Sequence, residues 1–168
     1  MNSRKTLNLH SIARKRQLQE ATNKGILLLD GGMGTSIQTL NLVESDYRGQ
    51  RFDTHPHDLM GNNDLLTLTQ PQHIEAIHSE FLNAGSQILS TNTFNSTCIA
   101  QADYELESAV PELNRESARL AKKAITNFAP QNPQDYFVAG ALGPTNKTTS
   151  ISPDVSNPAF RAITFDQM

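Results

Sequence analysis

The chain has 168 residues, a formal net charge of -3 at pH 7 and a hydrophobic content of 37%. This length is sufficient for one domain with a sizeable hydrophobic core. No apolar run approaches the roughly 20 residues that a membrane-spanning helix needs, so the composition predicts a soluble protein without a membrane partner. Cys98 is the only cysteine, which excludes an internal disulfide and favours a reducing, cytoplasmic setting.

The first 24 residues differ in charge from the rest of the chain. Six of them are Lys or Arg, and Glu20 is the only acid among them. A basic start of this kind occurs in transit peptides and in arms that bind nucleic acid. We favour a solvated lead-in helix and no nucleic-acid partner, because the segment lacks the long apolar core of a secretory signal. The chain is therefore divided into a lead-in, 1–24, and one domain, 25–168.

The run 26–30 reads Ile-Leu-Leu-Leu-Asp and predicts a strand that ends at a carboxylate. A strand that is hydrophobic at every position is typical of a parallel sheet buried on both faces. Gly31 and Gly32 follow directly and predict a tight turn that lets backbone N–H groups approach a ligand. Ligands bind at the carboxyl ends of parallel strands, so this turn is predicted to form one wall of a substrate pocket.

Two further strands and two helices complete the predicted pattern. Strands are expected at 87–91 and 136–142, with helices from about Pro71 to Gly85 and from about Pro111 to Phe128. The order strand, helix, strand, helix, strand predicts a parallel α/β sheet with right-handed crossovers. A doubly wound open sheet and a (βα)8 barrel both fit this order. We expect the amino-terminal part of a TIM-type barrel, about three βα units and incomplete.

Several blocks of sequence resemble the homocysteine methyltransferase family. The general family pattern is matched at 29–35, 78–85, 91–94 and 139–144. A narrower pattern, that of the cobalamin-dependent methionine synthases within the family, is matched at 47–52, 59–66, 143–146, 150–155 and 158–166.

The resemblance implies a substrate-binding barrel in a multi-domain enzyme. Such an enzyme transfers a methyl group from methylcobalamin to the sulfur of homocysteine, and methyltetrahydrofolate recharges the cobalamin. The family holds a zinc ion with three cysteines, one after a middle strand and an adjacent pair after a late strand. Cys98 matches neither motif, so we expect no zinc ligand, no cobalamin domain and no catalytic residue in this chain. Alone, the chain is expected to be inactive.

The resemblance also suggests substrate contacts at two strand ends. Asp30 is expected to accept a hydrogen bond from the homocysteine ammonium, and the N–H groups of Gly31 and Gly32 to hold its carboxylate. Thr91, Asn92 and Thr93 follow the second strand and are expected to reach the same pocket. The alternative is structural: Asp30 caps the helix that starts near Met33, and 91–93 only form a turn.

Other functions stay open on the sequence. A related methyltransferase that uses betaine or S-methylmethionine shares the general pattern. The glycine-rich turn also suggests a noncatalytic phosphate- or nucleotide-binding module, although the Gly-Lys-Ser/Thr ending of a P-loop is missing. His55 and His57 mimic a metal motif, but they lie in a polar loop far from a strand end, so metal binding is not favoured there.

Overall fold

The structure is a computed structural model that describes residues 3–168, with side-chain burial described from Ser11 onward. None of its helices is long and apolar enough to cross a lipid bilayer in the part of the chain described. Within residues 3–168, five short 3-10 helices connect or flank the α-helices and strands. The α-helices are α1 Ser3–Lys24, α2 Met33–Thr39, α3 Glu44–Arg48, α4 Leu66–Thr69, α5 Pro71–Asn83, α6 Cys98–Gln101 and α7 Val110–Phe128.

A small parallel sheet confirms the α/β class. Strand β1, Ile88–Ser90, pairs in parallel with β2, Phe137–Ala139, and Ile88 lies opposite Phe137. An isolated parallel bridge joins Leu29 to Ile88 on the other edge of β1. The three predicted strand runs therefore lie side by side with their carboxyl ends at one edge, but only two of them form full strands.

The expectation that the run 26–30 is buried on both faces is wrong for this structure. Ile26, Leu28 and Leu29 are 87%, 51% and 58% exposed. The run is bonded along one edge only: Ile88 N–H donates to the Leu28 carbonyl, and Asp30 N–H donates to the Ile88 carbonyl. Its apolar side chains consequently lack the second layer that the pattern of a buried parallel strand presupposes.

Helices α5 and α7 pack together and build the core on one side of the sheet. On α5, Ile74, Ile77 and Leu82 are buried at helical spacing, as the sequence predicts. The helix starts at Pro71 with Gln70 as the N-cap, and the chain turns away at Gly85 with φ of 100°. On α7, the fully buried Leu113 joins the main cluster around α4 and α5, whereas Ala121, Ala124 and Ile125 pack around Leu82 and Leu89.

Helix α1 is attached to β2 through Arg14. The guanidinium donates to the carbonyls of Gln134 at 2.9 Å and Tyr136 at 2.6 Å. It also lies 4.6 Å from the centre of the Phe137 ring. A helix is therefore found where the sequence predicts a lead-in helix, and its contact with the sheet lies at the amino end of β2.

Candidate functional site

The carboxyl ends of the parallel segments converge at Asp30. Ser90 N–H, at the end of β1, donates to Asp30 Oδ2 at 2.7 Å. Asp30 Oδ1 is buried and has no hydrogen-bond partner among the described residues. The expected alternative role as a helix cap is not what the structure shows, since Gly32 is the N-cap of α2 and receives no side-chain cap bond. The Asp30 side chain instead connects the end of the run 26–30 to the end of β1.

Gly31 and Gly32 form an exposed turn beside this carboxylate. Within the described chain, neither amide donates a hydrogen bond, while the Gly32 carbonyl accepts one from Ser36 N–H. A Cβ on Gly31 would lie 3.0 Å from the Phe81 ring, so the turn is tightly apposed to α5. The structure thus brings together a carboxylate and two backbone donors, which can meet an ammonium and a carboxylate on one ligand.

Thr91 and Thr93 are placed at the same edge, but their hydroxyls are used internally. The two Oγ1 atoms are 2.7 Å apart. Thr93 Oγ1 donates to the Ala141 carbonyl at 2.9 Å, and Ala141 N–H donates to Thr91 Oγ1 at 3.0 Å. Both threonines are buried. These bonds fasten the end of β1 to the end of β2, and a substrate contact by either side chain stays a prediction.

Asn92 belongs to a second group of buried polar residues. Its Nδ2 donates to the Asn63 carbonyl at 2.8 Å and to Thr67 Oγ1 at 3.3 Å. Tyr47 donates its hydroxyl to Asn63 Oδ1 at 2.9 Å. Asn92 therefore fixes the segment before α4 under the loop that follows β1, and any contact of its side chain with homocysteine also stays a prediction.

Asp64 is a structurally important carboxylate for which the sequence predicts no role beyond the block 59–66. Its Oδ2 accepts hydrogen bonds of 2.7 Å from Asn95 N–H and from Ser96 Oγ. Burial raises the pKa of this carboxyl, and the two hydrogen bonds act in the opposite direction. Asp64 orders the loop after β1, whose Phe94 carbonyl in turn accepts from Gly143 N–H at 3.2 Å.

His78 is a second buried polar residue for which the sequence predicts no role beyond the block 78–85. It is fully buried on α5, and neither ring nitrogen has a hydrogen-bond partner in the part of the chain that the structure describes. Burial lowers the pKa of its imidazole, while the charges of Asp30 and Glu75 act to raise it. The sequence does contain a signal for this residue. His78 has the helical spacing of Ile74, Phe81 and Leu82, which places a polar ring on an apolar helix face.

The described residues do not offer the donor set that the family's zinc requires. Among them, no three His, Cys, Asp or Glu side chains are grouped so that they could hold a metal ion. Cys98 is free and exposed at the start of α6. His55 Nε2 lies 2.7 Å from the Tyr104 carbonyl, and His57 Nε2 lies 2.9 Å from Glu105 Oε1, so both histidines contact protein groups.

The fold is similar to part of a bacterial methyltransferase domain. The metallated form of the homocysteine methyltransferase MmuM from Escherichia coli superimposes with a TM-score of 0.58 at 26% sequence identity, covering 76% of this chain and 41% of that chain. The oxidized form gives a TM-score of 0.54 at 28% identity, with 71% and 37% covered. The chain therefore spans less than half the length of MmuM.

The sequence gives the same result independently. The family model described as homocysteine S-methyltransferase matches residues 27–168, and the chain belongs to this family. The matched range includes Asp30, the glycine turn, His78 and the loop after β1. The family resemblance drawn from the sequence blocks is confirmed at this level.

Proposed function

We propose that this chain is the homocysteine-binding part of a homocysteine methyltransferase. The observation that carries the proposal is the Asp30 carboxylate, which is fixed by Ser90 N–H at 2.7 Å beside the Gly31 and Gly32 amides. Homocysteine offers the complementary groups, an ammonium and a carboxylate two bonds apart. Membership of the family supports homocysteine over other amino acids.

In the proposed complex, Asp30 accepts a hydrogen bond from the ammonium and the glycine amides donate to the substrate carboxylate. An ionised carboxyl group has about four acceptor positions, so the bond from Ser90 leaves room for the ammonium. The thiol is then the free end of the ligand. Methyl transfer needs a thiolate, and zinc supplies one when it is bound; we assign that step to no residue of this chain, since the described donors do not fit the ion.

We further propose that the three parallel segments correspond to the first three strands of a (βα)8 barrel. Their order along the chain and their parallel pairing support this. The similarity to part of the MmuM domain supports it as well. In such a barrel the substrate site lies at the carboxyl edge, where Asp30 and Thr91 are found.

For the methyl donor we propose methylcobalamin, recharged by methyltetrahydrofolate. The resemblance of the blocks 59–66 and 150–155 to methionine synthases supports this choice. Betaine or S-methylmethionine is the alternative, and membership of the family is equally compatible with it. Saturation-transfer NMR separates the two cases: the proposal expects no signal from betaine or S-methylmethionine with the chain, and clear binding of either would contradict it.

Calorimetric titration tests the amino-acid site. We expect L-homocysteine to bind to the unmodified chain. Asp30→Asn should weaken this binding by roughly tenfold or more, because a charge-assisted hydrogen bond is lost. The analogue 4-mercaptobutanoate lacks the ammonium, so its affinity should be the same for both proteins. Asp53→Asn, in an exposed loop, is the matched control. Equal loss for both ligands, or no binding to the unmodified chain, would contradict the proposal.

A further inference from the structure

Three buried polar atoms lack a hydrogen-bond partner among the described residues. Among the side chains that the structure describes, the buried nitrogen and oxygen atoms without a hydrogen-bond partner are Asp30 Oδ1, His78 Nδ1 and His78 Nε2. Buried polar atoms are almost always paired, with protein groups or with ordered water. Both unpaired groups belong to the same region, which calls for one explanation.

The face of α5 that carries His78 lies against the Asp30 turn. Phe81 is three residues further along the same helix face, and its ring is 3.0 Å from the position of a Cβ on Gly31. The Asp30 charge also acts on the His78 imidazole, together with that of Glu75 on α5 itself. The face of α5 that carries His78 and the turn that follows Asp30 therefore pack against each other, and among the described side chains no hydrogen bond joins the imidazole to Asp30 Oδ1.

We propose that His78 is a positioning residue for Asp30, acting through one ordered water that joins the imidazole to Asp30 Oδ1. A neutral imidazole carries one N–H donor and one acceptor. In the proposed arrangement the water accepts from the ring N–H and donates to Oδ1, as bridging waters do between polar groups that are not in direct contact. With Oδ2 on Ser90 N–H, both oxygens of Asp30 are then held.

The consequence concerns the ligand site of the proposed function, on which the functional part of this inference rests. A carboxylate fixed through both oxygens is oriented before the ammonium arrives, so less conformational freedom is lost on binding. His78 does not touch the substrate in this arrangement. It acts only through Asp30.

NMR spectroscopy tests the water bridge without any ligand. We expect a single neutral tautomer for His78 in long-range ¹H–¹⁵N spectra, and a cross-peak between its ring N–H and a long-lived water. Asp30→Asn should change the ring nitrogen shifts. A ring in fast exchange between tautomers, or one without a water contact, would overturn the proposal whether or not homocysteine binds.

Ligand binding tests the positioning role. His78→Leu should weaken the binding of L-homocysteine by about tenfold, as for one lost hydrogen bond to a charged group. The affinity for 4-mercaptobutanoate should not change. His78→Gln retains a donor and an acceptor and should restore most of the affinity, while Glu75→Gln is the control with unchanged binding. Equal losses for both ligands, or no rescue by glutamine in a folded variant, would show a structural role only. If the unmodified chain binds neither ligand, the proposed function fails, and the NMR result alone decides the bridge.

Discussion

At the scale of single residues, His78 couples the stability of the chain to pH. Burial lowers the pKa of its imidazole from 6.5. Below about pH 6.5 the imidazole therefore binds a proton in the unfolded chain but not in the folded chain. As a result, the free energy of unfolding decreases as the pH is lowered, by up to about 1.4 kcal/mol per pH unit. We expect His78→Leu to remove this loss in urea unfolding compared at about pH 7.5 and about pH 5.

Comparing His78→Leu with the unmodified chain separates the pH effect of His78 from that of Asp64. Burial raises the pKa of Asp64, so its contribution is lost as pH rises through the folded pKa, which is the opposite direction. Asp64 is present in both proteins, and its contribution cancels in the difference. His57→Gln, at an exposed histidine, should keep the acid-side loss. An identical pH dependence for His78→Leu and the unmodified chain would contradict the prediction.

The position of Asp30 could be predicted from the sequence, but its contacts could not. A run of apolar residues ending in Asp-Gly-Gly is a local signal for a strand end. The bond from Ser90 to Asp30 depends on the register between segments 60 residues apart, and no local pattern contains that register. The same holds for Thr91 and Thr93, whose hydroxyls form hydrogen bonds with the backbone of Ala141, two residues after β2.

At the scale of elements, α7 stabilises the domain through a few buried positions. Leu113 is fully buried in the main cluster, so Leu113→Ala should lower the free energy of unfolding by about 2–5 kcal/mol through lost burial and a residual cavity. Arg119→Ala on the exposed face of the same helix is the control, expected within about 0.5 kcal/mol. Urea unfolding measures both. Similar effects of the two substitutions would show that α7 is not packed as described.

Helices were easier to predict than strands for a physical reason. The apolar spacing of α5 and α7 follows the repeat of 3.6 residues per turn, which each helix sets through its own internal hydrogen bonds, and both helices lie where the sequence places them. The length of a strand depends instead on its neighbours. The run 26–30 has the composition of a buried strand, yet it forms one bridge, because only one of its edges is paired in this structure.

At the scale of the whole molecule, the outer edge of β2 is protected by α1. Phe137 N–H donates to the Gln87 carbonyl of the neighbouring segment, so the Tyr136 carbonyl in the same planar peptide points away from β1. The Arg14 guanidinium donates a hydrogen bond to this outward-pointing carbonyl. A charged side chain on an exposed edge is a known means of blocking further strand pairing. The lead-in segment thus has a role in the fold that its basic composition did not reveal.

Releasing α1 should therefore expose the sheet edge. Arg14→Ala removes the hydrogen bonds to the carbonyls of Gln134 and Tyr136 and the contact with the Phe137 ring. We expect faster hydrogen exchange at the amides of α1 and concentration-dependent self-association in sedimentation experiments, because an unprotected strand edge pairs readily with a strand of another chain. Lys15→Ala, one residue along the same helix, is the matched control and should leave both measurements unchanged. Unaltered exchange and sedimentation in Arg14→Ala would mean that α1 is held by contacts other than this arginine.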